Sequence, residues 1–252
     1  MPVVSLSESL NDLLRLWGGD LPRAACAGQT VLPVWRVRAG APLLLEGAPA
    51  DLVHVVRTGS FKCQRVGEDG YEQVLAFLGP GDVPGIDALG SGRQSCSVVA
   101  LEDSTVYALP ARELDRLRLL HPALDQGLQR AVARQLADAR RAVEMMSAVA
   151  AEVRLGRFLL WLSESMATRG QSPRRLLLRM SRRDIASLLG IAHETVSRAF
   201  SALTELGLLR VENRDVELLD LDGLRRCTRA TRSSLVDLPA TAATRRAPVL
   251  AA

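Results

Sequence analysis

Aromatic residues make up only 4% of this 252-residue chain, lysine occurs once, at Lys62, and the four cysteines stand far apart at 26, 63, 96 and 227. No apolar run approaches the roughly 18 to 20 residues that a membrane helix needs. The start, Met1-Pro-Val-Val-Ser-Leu-Ser-Glu8, lacks the basic and apolar stretches of a secretory signal. These absences predict a cytoplasmic protein. Cysteine spacings of 37, 33 and 131, with no C-x-x-C, offer no compact ligand set for an iron-sulfur cluster or zinc, so the thiols read as reduced and partly buried. Cys63 and Cys96 are kept as candidates for a redox response. Of the three histidines, His54 lies in a strand-like run and reads as a packed or surface residue, with haem ligation as its alternative. His193 opens His-Glu-Thr-Val-Ser197, which lacks the second histidine of a zinc protease motif, so no metal site is predicted. Gly79-Pro-Gly-Asp-Val-Pro-Gly85 is one residue off a dinucleotide fingerprint and reads as turn chemistry. No nucleophile is matched with a base, so no enzyme and no cofactor are predicted.

What is present is uneven. Hydrophobic residues reach 48%, enough for two modest domains with cores of their own. Residues 1–151 carry 15 Arg+Lys against 17 acids, whereas residues 152–252 carry 17 Arg against 11 acids, a swing from −2 to +6. Between Arg169 and Arg198 stand seven arginines and only two acids, Asp184 and Glu194. Such a cluster is the charge pattern that phosphate contact requires.

Texture divides the chain further. Residues 1–30 form an N-terminal segment with a short amphipathic piece from Leu6 to Trp17, to which no chemistry is assigned. From Val31 to about 120, runs such as Leu52–Arg57, Ser60–Val66 and Thr105–Leu109 alternate with glycines, and Gly67-Glu-Asp-Gly70 is a hairpin turn. That pattern predicts a small antiparallel barrel or jelly roll. Over 121–153, Val132, Leu136, Ala139, Val143, Met146, Ala150 and Val153 recur at alternating spacings of four and three, predicting one long helix whose apolar seam meets a second copy, with packing on the chain's own barrel as the alternative. Residues 228–252, rich in Ala, Thr, Arg and Pro without periodicity, are predicted to be a disordered tail.

The most specific stretch runs from Ser181 to Leu203. Ser181 with Asp184 three residues on reads as a capping box, Ile185, Leu188 and Leu189 share one helical face, and Gly190 stops the helix. From His193 a second helix turns Val196, Phe200 and Leu203 inward and leaves Glu194, Ser197 and Arg198 together on the other face. Arg174–Met180 is a strand candidate before the motif, and Leu206–Leu219 reads as strand, turn at Asn213–Asp215, strand, a wing. Within 154–227 the pattern is a winged helix-turn-helix, which makes double-stranded DNA the predicted partner.

A glycine-rich roll, a long helix and a winged helix-turn-helix, in that order, resemble the cyclic-AMP receptor protein and FNR family of bacterial regulators over residues 31–225. Arg57-Thr-Gly-Ser-Phe-Lys62, Gly81–Gly92 and Glu194-Thr-Val-Ser-Arg198 resemble the FNR branch most. The resemblance implies an α+β fold with a cyclic-nucleotide-binding-like antiparallel β-roll, a dimerisation helix and the winged domain. It also implies base contacts from Glu194, Ser197 and Arg198, a TTGAT-like pseudo-palindrome, an activator role, and a surface for RNA polymerase, for which the Glu68–Tyr71 hairpin is a candidate. Thr195, Arg182, Arg183 and His193 are assigned to the DNA backbone. Where the cyclic-AMP branch holds ribose with a glutamate, this chain has Ile86, with Arg93-Gln-Ser95 only loosely similar to its phosphate-binding pair. Tyr107 falls where the oxygen-sensing type has its barrel cysteine. The remaining alternatives are a roll that binds a small effector or haem, and a DNA-binding protein with no effector.

Overall fold

The computed structural model describes residues 3–19 and 30–229. Cys26 and the predicted tail from residue 230 on lie outside the described residues. The chain divides into two units, one of residues up to Glu144 together with Leu177–Thr195, the other of Met145–Leu176 with residues from Val196 on.

The first unit runs β1 (Val3–Ser9), α1 (Leu10–Leu16), β2 (Val31–Val37), β3 (Pro42–Leu44), β4 (Leu52–Thr58), β5 (Phe61–Val66), β6 (Glu72–Leu78), α2 (Ala88–Ser91), β7 (Ser97–Ala100), β8 (Ser104–Pro110), α3 (Ala111–Leu120) and most of α4 (Pro122–Ser147). Two four-stranded antiparallel sheets form, in the orders β1-β2-β8-β4 and β3-β7-β5-β6. Alternate residues of the first sheet feed two cores. Val34, Val53, Val55, Tyr107 and Leu109 join Leu13, Leu14, Leu117 and Leu124 from the helices and Trp17 just after α1, while Val37, Val56 and Val106 join Phe61, Cys63, Leu78 and Val98 of the second sheet.

Residues 3–19 of the N-terminal segment are part of this roll rather than a preface to it. Val4 and Leu6 alternate with Ser5 and Ser7 in the sequence, a strand signal, and β1 pairs antiparallel with β2 before Ser9 caps α1 in a capping box with Asp12. Glu8 anchors the strand: Arg57 donates from Nε at 2.8 Å and the Tyr107 hydroxyl donates at 2.6 Å. The Arg57 hydrogen bond outweighs partial burial and holds the Glu8 carboxyl below the usual 4.5, while burial, followed by the Glu8 bond, raises the Tyr107 phenol.

The long helix ends earlier than its apolar periodicity predicts. α4 stops at Ser147, and Ala150 adopts an extended backbone (φ −77°, ψ 135°) as N-cap of α5 (Ala151–Thr168). No glycine or proline stands between, so the sequence carries no stop signal. The break is tertiary: Met145 and Ala148 are buried, and the Ala148 carbonyl accepts from Arg154 Nε at 2.7 Å instead of from a continuing helix. Ala150 and Val153 therefore leave the seam, and Val153 is a buried residue of α5.

After α5 come β9 (Arg175–Leu177), α6 (Arg182–Leu189), α7 (His193–Glu205), β10 (Leu209–Glu212), β11 (Asp215–Leu218) and α8 (Leu221–Thr228). The strand predicted over 174–180 is only three residues long, and it completes a sheet of order β10-β11-β9. Between β10 and β11, Asn213 takes a left-handed φ of 56°. In the second unit α5 crosses α8 closely at Gly156, where a Cβ would meet Thr228 Cγ2 at 2.6 Å and Leu224 Cδ1 at 3.3 Å. No described helix is long and apolar enough to cross a membrane.

Two outcomes follow from this packing. Gly156→Val should destabilise the second unit by about 1–3 kcal/mol through overpacking against Thr228, despite the gain in helix propensity; an unchanged urea midpoint would show that α5 and α8 can separate. Because the folded pKa of Glu8 is depressed, its contribution is complete above pH 4.5 and is lost as pH falls through the folded value. The stability gap between wild type and Glu8→Gln should close on acidification below that point, and a gap constant with pH would refute the assignment.

Candidate nucleic-acid interface

α6 begins as its sequence predicts. The Ser181 amide donates to Asp184 Oδ2 at 2.8 Å, and the Asp184 amide returns to Ser181 Oγ at 3.1 Å. Gly190 ends the helix at φ 63°, a left-handed conformation that costs glycine least, and the Ile191 amide closes back on the Ala186 carbonyl at 3.1 Å. Three residues later α7 starts at His193. Val196, Ala199, Phe200 and Leu203 are its buried face. Glu194 and Arg198 are exposed, and Ser197 is half-buried beside them on the opposite side. His193 Nδ1 lies 3.3 Å from Glu194 Oε1. Arg182 and Arg183 are exposed on the first turn of α6, and Thr195 is half-buried. On the wing, Arg175 pairs with Asp215 and Arg210 with Glu217, each at 3.1 Å, so these arginines are already neutralised locally.

The roll's glycine-rich loop is held from α4. Arg134 Nη2 donates to the Gly81 carbonyl at 2.8 Å and reaches Asp82 at 3.2 Å, while the Gln135 amide brackets Val83, accepting from its N–H at 2.9 Å and donating to its carbonyl at 3.2 Å. Trp17 Nε1 donates to the same Gly81 carbonyl at 2.9 Å. None of these ties was legible in the sequence, because long-range polar contacts leave no periodic signal.

The loop does not suit a cyclic nucleotide. Ile86, where a ribose acceptor is required, packs on the helix-side core. Ser95 donates its hydroxyl to Asp87, and Arg93 donates to the Gly47 carbonyl at 2.8 Å. Gln94 is buried so tightly against the loop that a Cβ on Gly85 would collide with its Oε1 and with Leu44 Cδ1. Among the described residues no three His, Cys, Asp or Glu side chains are grouped to hold a metal ion. Cys63 and Cys96 do come together inside the roll, on β5 and just before β7. Their mutual hydrogen bond, with burial, holds the Cys63 thiol well above its usual value and so protonated. His54 is 2% exposed beside Trp35, ring centroids 5.5 Å apart. Burial lowers it to about 4, leaving a neutral ring with neither nitrogen hydrogen-bonded.

With this geometry in place, similarity to known proteins is informative. Residues 34–120 match a cyclic nucleotide-binding domain family and residues 153–227 a Crp-like helix-turn-helix domain. The transcriptional regulatory protein Btr of Bordetella pertussis is 38% identical over 190 residues, 75% of this chain and 78% of that protein. The fumarate and nitrate reduction regulatory protein of Escherichia coli is 32% identical over 197 residues, 78% of this chain and 79% of that one. The solved structure of FixK2 from Bradyrhizobium japonicum superposes with a TM-score of 0.69 at 28% identity, covering 81% of this chain and 99% of that chain. These relatives are regulators and not enzymes. The chain belongs to the Crp-Fnr family of bacterial transcription regulators and carries that family's helix-turn-helix DNA-binding domain.

Proposed function

We propose that the protein works in the cytoplasm as a homodimeric transcription activator that reads a TTGAT-like pseudo-palindrome with α7. The observation that carries this reading is the exposure of Glu194 and Arg198, with Ser197 between them, on the side of α7 opposite its buried Val196, Phe200 and Leu203. Arg198 has the fork that bonds bidentately to guanine O6 and N7, Glu194 accepts from a cytosine N4 amine, and Ser197 serves a neighbouring base edge. Thr195, Arg182, Arg183 and His193 lie near enough in sequence to the helix start to serve phosphates and fix the register.

Two half-sites call for two copies. α4 supplies a seam for them: Leu136 and Val143 are 52% and 64% exposed, and Val132 and Met146 are exposed at the same helical spacing, with small Ala139 between. An apolar stripe of that length in water is stabilised by a partner helix. Ala150 is no part of it. The activator role rests on relatives such as the transcriptional activator protein FnrA of Stutzerimonas stutzeri, 33% identical over 188 residues. For an activator, the exposed Glu68–Tyr71 turn is the surface offered to RNA polymerase.

Arg198→Ala should weaken cognate binding by about 1–3 kcal/mol and relax discrimination at one base pair. An equal loss on every sequence would remove the base-reading role. Ala139→Glu should set two carboxylates against each other across the seam, so that sedimentation shifts toward monomer and operator binding falls with it. Unchanged sedimentation would place the dimer contact elsewhere.

A further inference from the structure

α6 also contacts the second sheet, through Ser187 and β6. β6 is the last strand of its sheet and presents unpaired backbone groups along its outer edge. Ser187, in the middle of α6, fills part of that edge: its Oγ accepts the Val74 N–H at 2.8 Å and donates to the Glu72 carbonyl at 2.9 Å. One hydroxyl thus satisfies a donor and an acceptor of the same strand. Gln73 returns the contact, donating from Nε2 to the Ser187 carbonyl at 2.9 Å.

An ion pair lies alongside. Lys62 of β5, the chain's single lysine, places Nζ 2.8 Å from Asp184 Oδ1 and 3.2 Å from Glu72 Oε2. Lys62 and Asp184 are only 14% and 13% exposed, so the pair is shielded from the solvent screening that makes surface ion pairs weak. Burial is the largest single influence and opposes charge on both groups, but their mutual hydrogen bond and attraction, joined by Glu72 beside Lys62 and by Ser181 beside Asp184, together outweigh it: the Lys62 ammonium titrates above its usual value and the Asp184 carboxyl below. Asp184 is also the residue that closes the capping box of α6 with Ser181. The same carboxylate therefore fixes the start of the helix and its attachment to β5.

We propose that Lys62 and Ser187 are positioning residues for DNA recognition: by clamping α6 to β5 and β6 they set the start of α7 without touching DNA. This rests on the reading of α7 as the base-contacting helix. Only Gly190, Ile191 and Ala192 separate the two helices, and the turn is closed by backbone hydrogen bonds from Gly190 to Ser187 and from Ile191 to Ala186. A short, closed turn leaves the first residues of α7 little freedom once α6 is held. His193, Glu194 and Thr195 accordingly belong to the same compact unit as the roll. Arg182, Arg183, Glu194 and Arg198 all remain exposed with the clamp made, so the clamp does not mask them. A loosened α6 would have to be ordered at the moment of binding, and that cost appears as lost affinity.

The test compares Lys62→Met, Ser187→Ala and Lys62→Arg in the full chain, by operator affinity over a range of salt and by amide hydrogen exchange of residues 72–76 and 182–189. Lys62→Met and Ser187→Ala should each weaken binding about tenfold at every salt concentration, with the salt slope kept at the wild-type value, and both segments should exchange faster. Lys62→Arg, which keeps the charge, should restore affinity to within about threefold. Wild-type affinity in both disrupting variants would overturn the proposal. So would a salt slope reduced by about one in Lys62→Met, because that marks a direct phosphate contact. Unaltered exchange at Val74 in Ser187→Ala would show that the clamp is not made in solution. Failure of the base-reading assignment itself would look different, with faster exchange in the variants but no sequence preference in the wild type.

Discussion

The sheet β1-β2-β8-β4 is the constraint on which the first unit depends, because both of its faces are buried. Val53 and Val55 of β4 point toward α1, α3 and α4, and His54 and Val56 point toward the second sheet. A strand covered on both sides shows no polar alternation, which is why Leu52–Val56 is nearly continuous in apolar character. It also fixes what else must exist. One face requires helices to cover it, and Leu13, Leu14, Leu117, Leu124 and Leu128 supply that cover. The other requires a second sheet, and Phe61, Cys63 and Val98 supply its inner face. A one-residue slip of β4 would exchange these two sets, so the register is held by both cores at once.

Features specified by neighbours in sequence were legible before the fold was known. The capping box at Ser181, the left-handed turn at Gly190 and the buried stripe of α7 each depend on residues within four or five positions. The wing was legible for the same reason, since Asn213 and its flanking strands are local. The end of α4 was not. Its stop comes from burial of Met145 and Ala148 and from a guanidinium that takes a carbonyl, and a run of Ser, Ala, Val and Ala gives no hint of either. β1 is hidden for a different reason: its strand alternation is plain, but its partner β2 lies beyond α1, and the alternation merges into the amphipathic pattern that runs to Trp17.

The roll's interior bears on what signal this branch of the family can take. Around Gly85 the polar groups a nucleotide would need are engaged with Asp87 or packed against Gly85 itself, and Ile86 packs on a core. What the loop does retain is its attachment to α4, through Arg134, Gln135 and the Asp82 carboxylate. An amide that brackets both backbone groups of Val83 is sensitive to small movement, because a shift that lengthens one bond strains the other. The loop is therefore mechanically coupled to α4.

That coupling and the clamp on α6 leave the roll by different elements. One runs from Gly81–Val83 into α4, at Arg134 and Gln135, next to Leu136 of the seam. The other runs from β5 and β6 into α6, at Asp184 and Ser187. Both are made of hydrogen bonds and ion pairs, which depend on angle and distance far more steeply than apolar packing does. Contacts of that kind contribute little net stability but strongly favour one arrangement over its neighbours. A regulator needs its sensing fold to prefer one placement of its output elements and to lose that preference on a small change. Polar attachments at the rims of a rigid, doubly buried sheet satisfy both requirements, whereas a continuous apolar interface would hold the elements without discriminating between nearby positions.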